Sequence, residues 1–230
     1  MLKGGFIAMK IIDLSVVFRK DSISLVPGHP DFELKDFHFH DKDFRSNSFL
    51  GMSIHTGTHV DAPYHFIKDG VTIDDLPLET IVGTAVLIDL RTVCAPQKGI
   101  SLDQTKEAVG EKDIKGKIVI LHSGWIKEKW GTMEMYETNP FLMQDTANWL
   151  VDQKIRSVGI DFVIDNPDQS DFPVEKRFPN HRAFLGHGIP IIENLCNLEF
   201  IDRDEFLFIV LPLKLHKCNG APARAIALID

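Results

Sequence analysis

The chain has 230 residues, 44% of them hydrophobic and 25% charged, a balance that excludes a disordered protein and suits one large domain or two small ones sharing a core. Its formal net charge of -8 repels phosphate backbones, which argues against nucleic acid as a partner but not against a small anion held at a local positive centre such as a metal. No apolar run approaches the roughly 20 residues of a bilayer span.

Residues 1–8 contain no apolar stretch long enough for a signal peptide, and read as a disordered or added segment ahead of a single domain over 9–230. "KIIDLSVV" after Met9 reads as the first strand. Residues 21–49 are polar and aromatic with few periodic cues, which predicts a long loop or an arm packed over the site or over a partner subunit. Within it, His38 and His40 flank Phe39 and read as surface or subunit-contact residues. The runs "IVGTAVLIDL", "KIVILHS", "SVGIDF", "IPIIENL", "FLFIVLPL" and "ARAIALI" are strand-length, and Gly, Pro or Asp bounds most of them. Two stretches predict helices. Ser101 and Gln104 form a capping box before "TKEAV", and "FLMQDTANWLVDQKI" after Asn139-Pro140 spaces Leu142, Ala147, Leu150, Val151 and Ile155 along one face. Strands outnumber helices in irregular order, so a mixed α/β domain is expected. Cys94, Cys196 and Cys218 lie far apart with no CxxC, which predicts reduced thiols and a cytoplasmic protein.

"HTGTHVDAPYHF", from His55 to Phe66, is the densest chemistry in the chain. A flat strand would put His55 and His59 about 13 Å apart, too far for one ion. A helix would swing Asp61 off the face that His55 and His59 share, and Gly57, Pro63 and the β-branched residues oppose it. A curled strand-to-loop segment remains, with Gly57 supplying unusual backbone angles and Pro63 ending the strand. Such a curl can aim His55, His59 and Asp61 at one point, a ligand set that suits zinc, manganese or iron. No G-x-S-x-G elbow, nucleophile cysteine motif, P-loop or G-x-G-x-x-G is present, so serine hydrolase and nucleotide chemistry have no support. His29, His122, His187, His216 and Arg224 read as structural, and "HSGW" after a strand reads as a turn or a substrate contact.

Residues 55–65 match His-x-Gly-Thr-His-x-Asp-x-Pro-x-His at every fixed position, and so resemble the cyclase family of metal-dependent hydrolases, which includes bacterial kynurenine formamidase and isatin hydrolase. "IIDLS", "VPGHP", "VGIDF", "NHRAFLGHGIPIIENLCNL" and "GAPARAIAL" extend the resemblance over nearly the whole chain. It implies a single swivelling β/β/α domain with more strand than helix, usually in homodimers or homotetramers. It implies His55, His59 and Asp61 as ligands of a first metal, and Asp61, His181 and Glu193 as ligands of a second, Zn2+ or Mn2+. His65 is implied as the acid/base residue. The expected reaction is hydrolysis of an amide, formamide or lactam C–N bond of a small molecule by a metal-activated water. A metal-dependent cyclase or dehydratase, or a non-enzymatic metal-binding protein, are the alternatives. Kynurenine formamidases of the family carry Trp before the Pro-Gly turn, where this chain has Val26; that weakens the case for a kynurenine substrate and leaves the metal chemistry intact.

Overall fold

The computed structural model describes residues 9–21, 23–170 and 172–229. The expected extra segment at residues 1–8 lies outside them. In chain order the elements are β1 (Lys10–Asp13), β2 (Glu33–His38), α1 (His40–Asp43), β3 (Asn47–Gly51), β4 (His59–Asp61), β5 (Val82–Asp89), β6 (Gly99–Ile100), α2 (Leu102–Val109), β7 (Ile118–His122), α3 (Trp125–Lys129), α4 (Glu134–Glu137), β8 (Phe141–Leu142), α5 (Gln144–Asp152), β9 (Ser157–Ile160), α6 (Pro179–Gly186), β10 (Ile191–Glu193), β11 (Glu205–Pro212) and β12 (Gly220–Ile229). The fold is mixed α/β, with more strand than helix.

Eight strands form one sheet in the order β1-β12-β11-β5-β7-β9-β10-β4. Its ends meet, because β4 pairs with the start of β12 while the rest of β12 pairs with β1 and β11. The strands from β5 to β10 run parallel and the others antiparallel. Buried on both faces, β7 and β9 read as unbroken apolar runs. One apolar cluster fills the inside of the closed sheet, with Val60, Ile118, Ile120, Ile192, Phe208 and Ala227. A second lies where α2, α5 and α6 cover the parallel strands, with Val109, Leu150 and Phe184 packed against Val119, Leu121 and Val158.

The capping box of α2 forms as predicted: the Gln104 amide donates to Ser101 Oγ while Ser101 N donates to Gln104 Oε1. The second predicted helix starts later than its apolar spacing suggested. Phe141–Leu142 pairs in parallel with Gly99–Ile100, and Met143 stays extended, so α5 begins at Gln144. Inter-strand pairing outcompetes helix periodicity there. Within residues 21–49, the expected loop or arm holds a β2–α1–β3 hairpin completed at Gly51. The short helices α3, α4 and α6 carry no long amphipathic repeat, and none of the three was predicted. No described helix is long and apolar enough to cross a membrane.

Candidate metal centre

β4 lies between β10 and β12, with His59 opposite Glu193 and Pro222, and Asp61 opposite Ile191 and Gly220. Strand alternation sends Val60, Ile192 and Ala221 into the apolar interior and puts His59, Asp61 and Glu193 together on the other face. There His59 Nε2 stands 3.2 Å from Asp61 Oδ1 and 3.6 Å from Glu193 Oε2. The curl predicted ahead of the strand is present. Gly57 takes φ +68°, and a Cβ at that position would sit 2.2 Å from the Phe18 ring. The chain thereby folds back and sets His55 Nδ1 2.7 Å from Asp61 Oδ1. The fourth wall comes from the first turn of α6, where His181 Nε2 lies 3.6 Å from Asp61 Oδ2 and 3.2 Å from Glu193 Oε1. Asp61 thus turns one oxygen to His55 and His59 and the other to His181, while Glu193 spans His59 and His181.

Each imidazole is held from behind. His59 Nδ1–H donates to the Gly57 carbonyl at 2.7 Å, His181 Nδ1–H to Asp165 Oδ2 at 2.5 Å, and His55 Nε2–H to Asn219 Oδ1 at 2.8 Å. The remaining ring nitrogens therefore face the carboxylates, which is how metal-binding histidines are oriented. Asp165 also accepts from the Asn180 and His181 amides, so one carboxylate anchors both the ring and the N-terminus of α6.

The electrostatics ask for a cation. Asp61 is fully buried; burial would raise its pKa, but the fields and hydrogen bonds of His59 and His55 hold it well below the usual carboxylate range. Burial likewise lowers the His59 pKa, yet Asp61, then Glu193, outweigh it and raise it to about 9. For His181, Asp165 and Glu193 outweigh burial in the same way and raise the pKa well above normal. Among the described residues no lysine or arginine pairs with Asp61 or Glu193; their only ion-pair partners are these histidines. The buried Glu193 Oε1 accepts no hydrogen bond among the described residues. The facing atoms of His55, His59 and Asp61 lie within 4.8 Å of one another, as do those of Asp61, His181 and Glu193. Imidazole nitrogens and carboxylate oxygens so gathered, with protons in place of positive charge, fit one divalent cation or a pair sharing Asp61.

His65 closes the 3-10 turn Pro63–His65 that follows β4. Its ring stacks on His55 with centroids 4.0 Å apart, and among the described residues neither ring nitrogen is held by a hydrogen bond. Burial lowers its pKa to about 4; the attraction of Asp61 opposes this, and the repulsion of His55 and His181 reinforces it. It is thus a neutral imidazole at neutral pH. A cavity of about 210 Å³ opens on this group, walled by Val26, His29, Phe66, Tyr136, Val163 and Phe178. The buried Tyr136 hydroxyl faces the Asn194 side chain without closing a hydrogen bond.

All six residues singled out in the sequence converge here: His55, His59, Asp61, His65, His181 and Glu193. His29, expected to be structural, lines the same cavity, placed by the Val26–His29 turn in which its amide donates to the Val26 carbonyl. Asp165, Asn219, Tyr136 and Phe178 were not anticipated, since no local motif marks them. "HSGW" is a turn: the Ser123 amide and hydroxyl and the Gly124 amide donate to the buried Asp161. His187, His216 and His38 lie away from the centre, bonded to Ala183, Asp74 and Arg45, and Arg224 pairs with Asp13.

A family model described as "Putative cyclase" matches residues 12–165. The kynurenine formamidase of Bacillus cereus is 32% identical over 184 residues, 77% of either chain. An isatin hydrolase bound to the product analogue thioisatinate superposes with a TM-score of 0.85 at 22% identity, covering 96% of this chain and 92% of that one. A structure described as a "Potential Metal-Dependent Hydrolase With Cyclase Activity" gives a TM-score of 0.72 at 28% identity, covering 96% and 98%. The chain belongs to the Cyclase family.

Proposed function

We propose that the protein is a metal-dependent hydrolase that cleaves an amide, formamide or lactam C–N bond of a small molecule, the arylformamidase-like chemistry named for its relatives. The observation that carries this reading is the gathering of His55, His59, Asp61, His181 and Glu193 into one buried group whose carboxylates face only imidazoles among the described residues, with the His65 imidazole beside them. These five residues would hold Zn2+ or Mn2+, one or two ions per subunit, since both ions accept nitrogen and oxygen donors. The metal, when bound, lowers the pKa of a water and polarises an acyl oxygen.

His65 does the proton work. Its neutral ring takes the proton from the attacking water, and the imidazolium so formed is acidic enough to pass it to the leaving nitrogen. Phe66, Phe178, Val26 and Val163 give the substrate an apolar seat and keep bulk water from the reacting carbonyl. Val26 leaves more room than the Trp of the family's kynurenine formamidases, so lactams and other acyl amides compete with formylkynurenine as the substrate. A homodimer or homotetramer in the cytoplasm completes the reading; three free thiols suit that compartment.

The test is turnover of N-formylkynurenine and isatin by protein loaded with Zn2+ or Mn2+ in water enriched in heavy oxygen. Hydrolysis places one solvent oxygen in the released acid. Ring closure or dehydration of a substrate without solvent oxygen in the product points to the lyase alternative, and metal-loaded protein that cleaves no formamide, amide or lactam overturns the proposal.

A further inference from the structure

At residue 136 packing alone would be served by phenylalanine. The Tyr136 side chain belongs to the apolar cluster on the helix side of the sheet, with Trp125, Met135 and Phe162, and the residue is only 9% exposed. Tyrosine adds one oxygen there, and that oxygen is buried and makes no hydrogen bond among the described residues. A buried hydroxyl without a partner lowers stability, so its retention asks for a role.

The protein cannot supply the partner by a small adjustment. The side chain that the hydroxyl faces is Asn194, and Asn194 is pinned. Its Nδ2 donates to the Gly57 carbonyl at 2.9 Å, and its own carbonyl accepts from Thr58 Oγ1 at 2.7 Å. Rotating the amide toward Tyr136 breaks the bond to Gly57, the same carbonyl that orients His59. Tyr136 is held as firmly. Trp125 Nε1–H donates to the Met135 carbonyl at 3.1 Å. Just ahead of α4, the Gly131 amide donates to the buried Ser24 Oγ, which donates in turn to the Thr132 carbonyl. Ser24 thereby ties the start of α4 to the segment that carries Val26 and His29. A hydroxyl fixed in this way is preorganised for a ligand, with little ordering left to do on binding.

The ligand space it borders is the cavity on the metal-binding group. Apart from that group and His65, the lining holds Val26, Phe66, Val163 and Phe178, and only two polar side chains, His29 and Tyr136. A cavity of about 210 Å³ is only about 7 Å across, so a molecule whose scissile carbonyl lies against the histidines and carboxylates has Tyr136 within a few bonds. We propose that Tyr136 is a specificity residue of this cavity, donating a hydrogen bond to a second, unreacting oxygen of the substrate. The assignment rests on the hydrolase reading and narrows it to amides, formamides or lactams that carry such an acceptor near the scissile C–N bond. Burial, reinforced by the Glu193 charge, raises the phenol pKa, so the hydroxyl keeps the proton it donates. A substrate without the oxygen leaves the hydroxyl unpaired, which is how a pocket built for a polar group rejects an analogue.

The test compares ortho- and meta-acetylformanilide with their isopropenyl counterparts, in which a methylene replaces the acetyl oxygen. With protein loaded with Zn2+ or Mn2+, the preference for oxygen over methylene is read as a ratio of kcat/KM. In Tyr136→Phe this ratio is expected to fall at least about 10-fold, because one hydrogen bond in a buried site is lost. The loss is expected mainly in KM, since the bond forms with bound substrate and is not confined to the transition state. Calorimetry with the corresponding acetyl- and isopropenylanilines reads the same preference as dissociation constants, without turnover. The urea midpoint of Tyr136→Phe is expected to equal or exceed that of wild type, because the oxygen removed bonds nothing within the protein. A wild type without the preference, or a preference unchanged in Tyr136→Phe, overturns the assignment. So does a lowered urea midpoint, which means that the hydroxyl serves the fold. Protein that cleaves none of the formanilides counts against the hydrolase reading, while a calorimetric preference lost in Tyr136→Phe still supports Tyr136 as the donor.

Discussion

His181 Nδ1 and Asp165 Oδ2 meet at 2.5 Å, and the same carboxylate accepts the backbone amides of Asn180 and His181. One side chain therefore fixes a helix start, a ring orientation and a tautomer at once. Replacing Asp165 with alanine frees the ring to rotate and removes the partner that keeps Nε2 turned to Asp61 and Glu193. Metal affinity is expected to fall about 10- to 100-fold, the usual effect of losing such a partner. Competition with a chromophoric chelator measures it. Wild-type affinity in Asp165→Ala removes His181 from the ligand set.

His65 and His55 stack on one another but are expected to fail differently. His65→Ala retains metal and loses turnover by about 10²- to 10⁴-fold, the range of a general acid/base. His55→Ala loses metal first, and its activity recovers at high metal concentration. Metal content by mass spectrometry beside kcat separates the two. A His65→Ala enzyme with near wild-type kcat and full metal content ends its assignment as the proton carrier.

The legible and illegible parts of this centre differ in sequence distance. His55, His59, Asp61 and His65 lie within eleven residues, and the exclusion of helix and flat strand was enough to call for the curl that Gly57 provides. His181 and Glu193 were reachable only through resemblance to a family, because register, not local pattern, places Glu193 opposite His59. Asp165 and Asn219 became visible only when β9, α6 and the start of β12 were folded around β4, since neither sits in a motif. Strands β1, β5, β7, β9, β10, β11 and β12 were readable from apolar, β-branched runs, whereas β2 and β3 lay in the expected arm and the two-residue β6 and β8 left no pattern. The closure of the sheet was not readable, because it depends on β12 serving two neighbours along one edge.

Two glycines carry steric requirements that a methyl group breaks. At Gly220 a Cβ would sit 2.7 Å from the Val60 carbonyl and 2.9 Å from His55 Cε1. At Gly57 it would strike the Phe18 ring in a backbone region that L-residues avoid. Gly220→Ala is expected to displace His55 and weaken metal binding with modest loss of stability. Gly57→Ala is expected to lose about 1–3 kcal/mol of folding stability as well, since the strained turn has no relaxed alternative. Chemical denaturation of the metal-free proteins reads the stability, and chelator competition reads the site. Unchanged metal affinity in Gly220→Ala shows that the β12 start does not position His55.

Away from the centre, His122 and Asp161 bend the pH dependence of stability in opposite directions. Burial, reinforced by Arg91, lowers the His122 pKa to about 4. The unfolded chain then binds more protons than the native state between about pH 4 and 6.5, so this residue makes stability rise with pH across that window. Burial also raises the Asp161 pKa to about 6, against the hydrogen bonds from Ser123 and Gly124. Here the native state binds more protons than the unfolded chain between about pH 4 and 6, so Asp161 makes stability fall as pH rises. The two contributions oppose one another over the same range. His122→Asn is therefore expected to tilt the stability curve downward with rising pH relative to wild type, and Asp161→Asn to tilt it upward. Asp161→Asn is also expected to be less stable at every pH, because its NH2 group replaces one of the two acceptor oxygens and meets either the Ser123 or the Gly124 amide donor to donor. Urea midpoints between pH 4 and 7 on the metal-free proteins read both tilts. Parallel curves for wild type and His122→Asn mean that His122 takes up its proton at the same pH in the fold as in the unfolded chain, which the burial of its ring opposes.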